Sequence, residues 1–160
     1  MRLYSFGNMY LIGVHAGIQC QHCSVEIMMK YQSLNGSARG ILFDWAENHK
    51  TTILLNGGMQ EQLSELFDLF QSKDNPYPWD FFVESHEALN NCMTNVSIVL
   101  PEKIYMYSKW LKQEDTAVYD DGRDVYIYPQ DDPTGAPAHY EYTPWELKLI
   151  EILNSKRLMS

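Results

Sequence analysis

A regular alternation of β-rich runs with helical periodicities through the first hundred residues constrains this chain more than any other feature. Thr51-Thr52-Ile53-Leu54-Leu55 is a β-rich run that Asn56-Gly57-Gly58 breaks. Residues 59–72 then follow the helical period, with Leu63, Leu66, Phe67 and Phe70 on one face. The alternation extends both ways. A first strand is predicted over residues 9–14, a helix over 15–31 and a short helix over 38–48. A third strand falls at 81–83, and a fourth at 96–100 stops at Pro101. Strands and helices in this order imply an α/β layer with a largely buried sheet.

After Pro101 the character changes. Residues 117–119 and 125–128 flank Asp120-Asp121-Gly122-Arg123, a hairpin signal of the Asp-Gly type. The chain then enters a well-marked helix at Thr143-Pro144-Trp145-Glu146: Thr at the N-cap, Pro at the first helical position, Glu three residues after the cap. Trp145, Leu149 and Ile152 form its apolar stripe. At 160 residues one core is expected. The division is an α/β domain over 1–108 and an acidic hairpin with a helix over 109–160, packed on the same domain.

Charge placement narrows the partners. Of 21 acids, nine lie in residues 114–146 against one base, Arg123, which leaves 11 bases and 12 acids elsewhere. No window offers the basic stripe that a phosphate backbone needs, so long nucleic acid is a poor default partner. A small phosphate-bearing ligand stays open. No apolar run approaches the ~20 residues that span a bilayer, so no membrane is expected. The first residues lack the parts of a signal peptide. Three cysteines argue for a reducing compartment, and the cytoplasm is the expected location.

Chemistry is best sought at His15-Ala16-Gly17-Ile18-Gln19-Cys20-Gln21-His22. On a helix His15, Gln19, His22 and Glu26 share one face. Four polar groups in line, two of them imidazoles, suit proton transfer.

In order, these pieces resemble the archaeal/eukaryotic-type (type II) peptidyl-tRNA hydrolases. In that family a strand leads to a helix carrying Lys-x-Ala-Ala-Gln-x-x-His-Ala. Here Gln19 and His22 match that frame, and His15 stands where the family has its lysine. Trp45, residues 48–54 and the helix around 62–66 fit the next elements. The family's acidic position falls on Glu84 or Glu87, followed by Thr94 and the strand at 96–100. The resemblance covers roughly residues 8–104, and it extends to uncharacterised bacteriophage proteins of this type. It implies an α/β fold with a mixed four-stranded sheet and flanking helices, in two or three layers, to which the residue pattern beyond it adds the C-terminal hairpin and helix. It also implies a homodimer. A histidine in place of the lysine removes a permanent cation, which points away from tRNA and towards another substrate.

Each candidate has a plainer reading. His15, where a strand becomes a helix, is either a functional group near free backbone N–H groups or a solvent-facing or capping histidine. His22 is a proton carrier or a satisfied core histidine. Gln19 orients an imidazole or ligand, or simply packs. Glu84 or Glu87 is a general base or positions a hydroxyl. Tyr77, Trp79, His86 and Thr94 lie near the acidic position, where aromatic rings stack on a base or only pack. Cys20 and Cys23 are adjacent on the helix, but no further Cys/His pair completes a zinc site, so neither metal nor cofactor is expected.

The function expected is a hydrolase acting on a nucleotide-bearing small molecule by acid/base catalysis through His15, His22 and Glu84. For a phage-encoded chain working in its host's cytoplasm, a cyclic nucleotide immune signal is the candidate substrate. A non-catalytic nucleotide-sequestering protein and a peptidyl-tRNA hydrolase are the alternatives.

Overall fold

The structure, a computed structural model, describes residues 1–107 and 142–159. The predicted hairpin at 117–128 lies outside these residues. Two compact units are present: Met1–Glu102 with Ser155–Ser160, and Lys103–Asn154.

The first unit is α/β. Its elements are β1 (Arg2–Asn8), α1 (Val14–Tyr31), α2 (Ser37–Asp44), β2 (Thr52–Gly58), α3 (Gln60–Phe70), β3 (Trp79–Val83), α4 (His86–Leu89) and β4 (Met93–Leu100). The sheet is four-stranded and mixed, in the order β2-β1-β4-β3. β1 and β2 are parallel; β4 runs antiparallel to both β1 and β3. A parallel pair needs a long crossover, which α1 and α2 supply.

The first strand lies earlier than the sequence pattern predicts. β1 occupies Arg2–Asn8, and the apolar run after it is an exposed connection, with Ile12 67% and Val14 72% accessible. Ser5, Gly7 and Asn8 dilute the hydrophobicity of the true strand, although all three are buried. Hydrophobicity alone therefore favours the wrong window. The short helix ends at Asp44 and continues as one π-helical turn, Trp45–His49, which Lys50 closes in a left-handed conformation (φ 54°).

Parity along β1 assigns the two faces. Leu3 and its partner Val99 pack with Ile27 and Tyr31 of α1 and Leu42 of α2. On the opposite face Phe6 meets Phe70 of α3 (ring centroids 6.0 Å apart), and Phe67 meets Phe81 (4.8 Å) and Trp79 (5.6 Å). The result is three layers, with every residue of β4 buried. The predicted face of α3 holds: Leu63, Leu66 and Phe70 are buried. α3 lies so close to β2 that a Cβ at Gly57 would stand 2.6 Å from Leu63 Cδ2 and 3.0 Å from the Gly7 carbonyl oxygen, so only glycine fits there.

The outer edge of β2 is covered by residues 156–159. Asn56 N–H donates to the Arg157 carbonyl (2.9 Å), Met159 N–H donates to the Leu54 carbonyl (3.0 Å), and Leu158 bridges Leu55 in antiparallel sense. Lys156 Nζ donates to the Gly57 carbonyl, and Met159 lies over Gly7.

In the second unit, α5 (Glu102–Tyr105) is followed, beyond the undescribed stretch, by α6 (Pro144–Ser155). The expected capping box forms. Glu146 N–H donates to Thr143 Oγ1 (3.2 Å), and Thr143 N–H donates to Glu146 Oε2 (2.9 Å). Glu146 is almost fully buried and pairs with Lys103 Nζ at 2.7 Å. Among the described residues no helix is long and apolar enough to cross a membrane.

Candidate functional site at the α1–β3–β4 corner

Where β1 ends, Asn8 ties three segments together. Its Nδ2 donates to the Met93 carbonyl (3.2 Å) and to Cys92 Sγ (3.5 Å), while its Oδ1 accepts from Tyr10 N–H (3.2 Å). The chain then crosses an apolar loop and reverses at Gly13, whose φ of 56° suits a residue without a Cβ. α1 starts there without a side-chain cap. Its sheet-facing stripe is Ala16, Cys20, Cys23, Ile27 and Tyr31, spaced by three and four. The polar row read from the sequence therefore lies on the flank of that stripe. His15 and Glu26 are exposed, His22 is half-buried, and Gln19 is buried.

Gln19 is the centre of the site. Its Nε2 donates to Glu84 Oε1 at 2.7 Å, and its Oε1 accepts from Thr94 Oγ1 at 2.8 Å. The two bonds fix the amide orientation, because a flipped amide would set its oxygen against a carboxylate that has no proton to give. Glu84 follows β3 directly, and its backbone N–H donates to the Cys92 carbonyl (3.0 Å). Among the described residues its carboxylate has no ion pair, and residues 3–25 contain no Asp, Glu, Lys or Arg. One oxygen of an ionisable, half-buried carboxylate is thus held by an amide, and the other has no donor among the described residues.

Thr94 reaches Gln19 because the strand is irregular. Strict alternation would place Thr94 with Val96 and Ile98 on the α3 face. Phe82 instead pairs with Asn95 and Val83 with Met93, which leaves Thr94 as the extra residue of a β-bulge. Its hydroxyl then donates towards α1. His22 adjoins the group, its ring 4.7 Å from that of Phe82 and tilted by 54°. His22 Nδ1 is buried without a hydrogen-bond partner among the described residues.

Beneath α1 the sheet interior is polar. Asn95 Oδ1 accepts from Ser5 Oγ (2.9 Å) and Ser97 Oγ (2.6 Å), with all three residues fully buried, and Asn95 Nδ2 has no partner among the described residues. Cys23 Sγ donates to the Asp80 carbonyl (3.2 Å), and burial pushes this thiol up to about 12. Burial raises Cys20 as well. Both therefore stay protonated at neutral pH and are poor metal ligands as they stand.

Of the residues singled out in the sequence, the structure gathers Gln19, Glu84 and Thr94 and sets His22 beside them. His15 lies one helical turn before Gln19, with no hydrogen bond from its ring among the described residues. Glu87 and His86 are exposed on α4. Tyr77 is buried ahead of β3, and Trp79 joins the aromatic cluster on the α3 face, at the far end of β3 from Glu84. Asn8, Phe82 and Asn95 are additions the sequence reading missed. For Asn95 a signal existed: Thr94-Asn95 followed by Ser97 places polar groups in a strand buried on both faces. No family model matches the chain, and no curated protein matches it either.

Proposed function

We propose that this corner is the active site of a hydrolase acting on a nucleotide-bearing small molecule, with a cyclic nucleotide immune signal as the substrate if the chain is phage-encoded. The observation that carries the reading is the Gln19 amide bonded to Thr94 on one side and Glu84 on the other. A hydrogen-bonded carboxylate with one unengaged oxygen suits a general base. Glu84 takes a proton from water, the water oxygen bonds to phosphorus, and the bond from phosphorus to the ribose oxygen breaks. His15 returns a proton to that leaving oxygen. The uncapped start of α1 offers backbone N–H groups to the phosphate. The resemblance of residues 8–104 to type II peptidyl-tRNA hydrolases supports a hydrolytic frame, while His15 in place of the lysine and a net charge of −9 weigh against tRNA.

A second reading, a protein that sequesters the nucleotide, uses the same Gln19–Glu84–Thr94 corner and needs no proton transfer. A single experiment separates the two. The protein is incubated with nucleoside monophosphates, 3′,5′-cyclic AMP and GMP, and 3′,3′-cyclic di-AMP and di-GMP, then heat-denatured, and the supernatant is weighed by mass spectrometry. Gain of one water by a cyclic nucleotide, lost in a folded Glu84→Gln variant, supports the hydrolase. Retention and intact release support the binder. No change and no retention across the panel refutes both.

A further inference from the structure

The bulge that turns Thr94 towards Gln19 is fixed from outside the site. Val99 N–H donates to the Pro78 carbonyl (2.9 Å), on the β3 side of β4. Strict alternation would turn the backbone of Met93 the same way. Its bonds lie elsewhere. Met93 N–H donates to Gln60 Oε1 at 2.9 Å, and the Met93 carbonyl accepts from Asn8 Nδ2 at 3.2 Å. The bond towards the β3 side passes to Cys92, whose carbonyl takes the Glu84 N–H at 3.0 Å. The strand is therefore out of phase by one residue across Thr94.

Both backbone groups of Met93 thus end on side chains, one from the first residue of α3 and one from the last residue of β1. Met93 is buried, and a buried backbone group without a partner is costly. A strand kept in phase would return Thr94 to the α3 face and take its hydroxyl from Gln19 Oε1. The Gln60 amide is held with its oxygen towards Met93, because a backbone N–H can only donate. Capping of α3 falls to another residue: Gln62 Oε1 accepts from Met59 N–H at 2.9 Å. Gln60 Oε1 reaches across to the start of β4 instead, where Cys92 Sγ also lies at 3.5 Å.

We propose that Gln60 is a positioning residue for the candidate site. Through Met93 it holds the bulge that aims Thr94 at Gln19, and Gln19 in turn fixes the Glu84 carboxylate. Asn8, on the other backbone group of Met93, shares this task. The effect on turnover rests on the hydrolase reading above, whereas the effect on geometry rests on the hydrogen bonds alone.

The test compares Gln60→Met, which keeps the side-chain length and removes the acceptor, with Gln60→Glu, which keeps an oxygen there. Gln60 is exposed, and glutamate suits the first turn of a helix, so both variants are expected to fold. NMR follows exchange with water of the Gln19 Nε2 protons, which are buried against Glu84. Gln60→Met should speed this exchange about tenfold or more, and Gln60→Glu should stay within about threefold of wild type. With a cyclic nucleotide that the wild type hydrolyses, Gln60→Met should lower kcat about 10- to 100-fold at nearly constant KM, and Gln60→Glu should restore it. A residue that only supported α3 would change exchange along α3 and leave the Gln19 side chain unmoved. Equal Gln19 exchange in wild type and Gln60→Met would therefore overturn the positioning role and leave the hydrolase reading standing. Faster Gln19 exchange in Gln60→Met, with no turnover by wild type across the panel, would overturn the hydrolase reading and leave the placement of Thr94 by Gln60 intact.

Discussion

Replacing Gln19 by glutamate tests the central hydrogen-bond chain with almost no change in shape. In the native protein Gln19 Nε2 donates to Glu84 Oε1 at 2.7 Å, inside a corner where Gln19 is 7% exposed. The variant sets two carboxylates at that separation. It removes a hydrogen bond to a charged acceptor, a loss of about 1.5–3 kcal/mol. Two anions about 3 Å apart would repel by roughly 5 kcal/mol at an effective dielectric constant of 20. The pair escapes by sharing one proton, and holding that proton at pH 7.5 against an ordinary glutamate value costs about 4 kcal/mol. The penalty at pH 7.5 is therefore capped, and we expect about 2–4 kcal/mol. The sign of its pH dependence follows from linkage. The folded variant keeps a proton that the unfolded chain has released, so its stability relative to wild type falls as pH rises, by at most about 1.4 kcal/mol per unit. At pH 4.5 the shared proton is nearly free, and the penalty should drop below about 1 kcal/mol. Urea unfolding of both proteins at pH 4.5, 6 and 7.5 measures this, with Gln19→Leu, which removes the hydrogen bond without adding a carboxyl group, as a control whose penalty should vary less with pH. A Gln19→Glu penalty that is equal at all three values would refute the proposed chain from Thr94 to Glu84.

Other expectations can be checked in the same assay. The Cys23 thiol, held up to about 12 by burial, keeps its proton when the unfolded chain loses it. Stability should thus fall between about pH 9 and 12 by up to about 1.4 kcal/mol per unit, and Cys23→Ala should flatten that slope. Gly57→Ala pushes a methyl group against Leu63 and the Gly7 carbonyl and should cost about 1–3 kcal/mol; a neutral result would mean that α3 stands further from β2. Removing residues 156–160 should expose the Asn56 amide, which then exchanges with deuterium much faster than the amides between β1 and β4. Unchanged protection of Asn56 would place its partner elsewhere.

Much of the architecture is legible in local pattern. Residues 59–72 show α3 through the spacing of Leu63, Leu66 and Phe70, and Thr143 with Glu146 marks the start of α6 by its own cap. The misplaced first strand shows the limit. Ser5, Gly7 and Asn8 are buried by tertiary packing that no window of seven residues contains, whereas the more apolar run after them is left in solvent. Within the site, Gln19 and His22 stand out by helical spacing alone. Their partners do not, because Glu84 and Thr94 lie 65 and 75 residues away from Gln19. Thr94 faces Gln19 only through the bulge, and a one-residue irregularity leaves no mark on a period-two pattern.

The pairing of residues 156–159 with the β2 edge has a consequence for synthesis. Lys156 meets Gly57 across 99 positions of sequence, so the ribosome finishes β2 long before it delivers the segment that covers it. At about 5–20 residues per second, the β2 edge stays unpaired for several seconds on every nascent chain. An unpaired edge is a template for strand addition from another polypeptide. Exposure of the β2 edge to such addition thus lasts until residues 156–159 emerge.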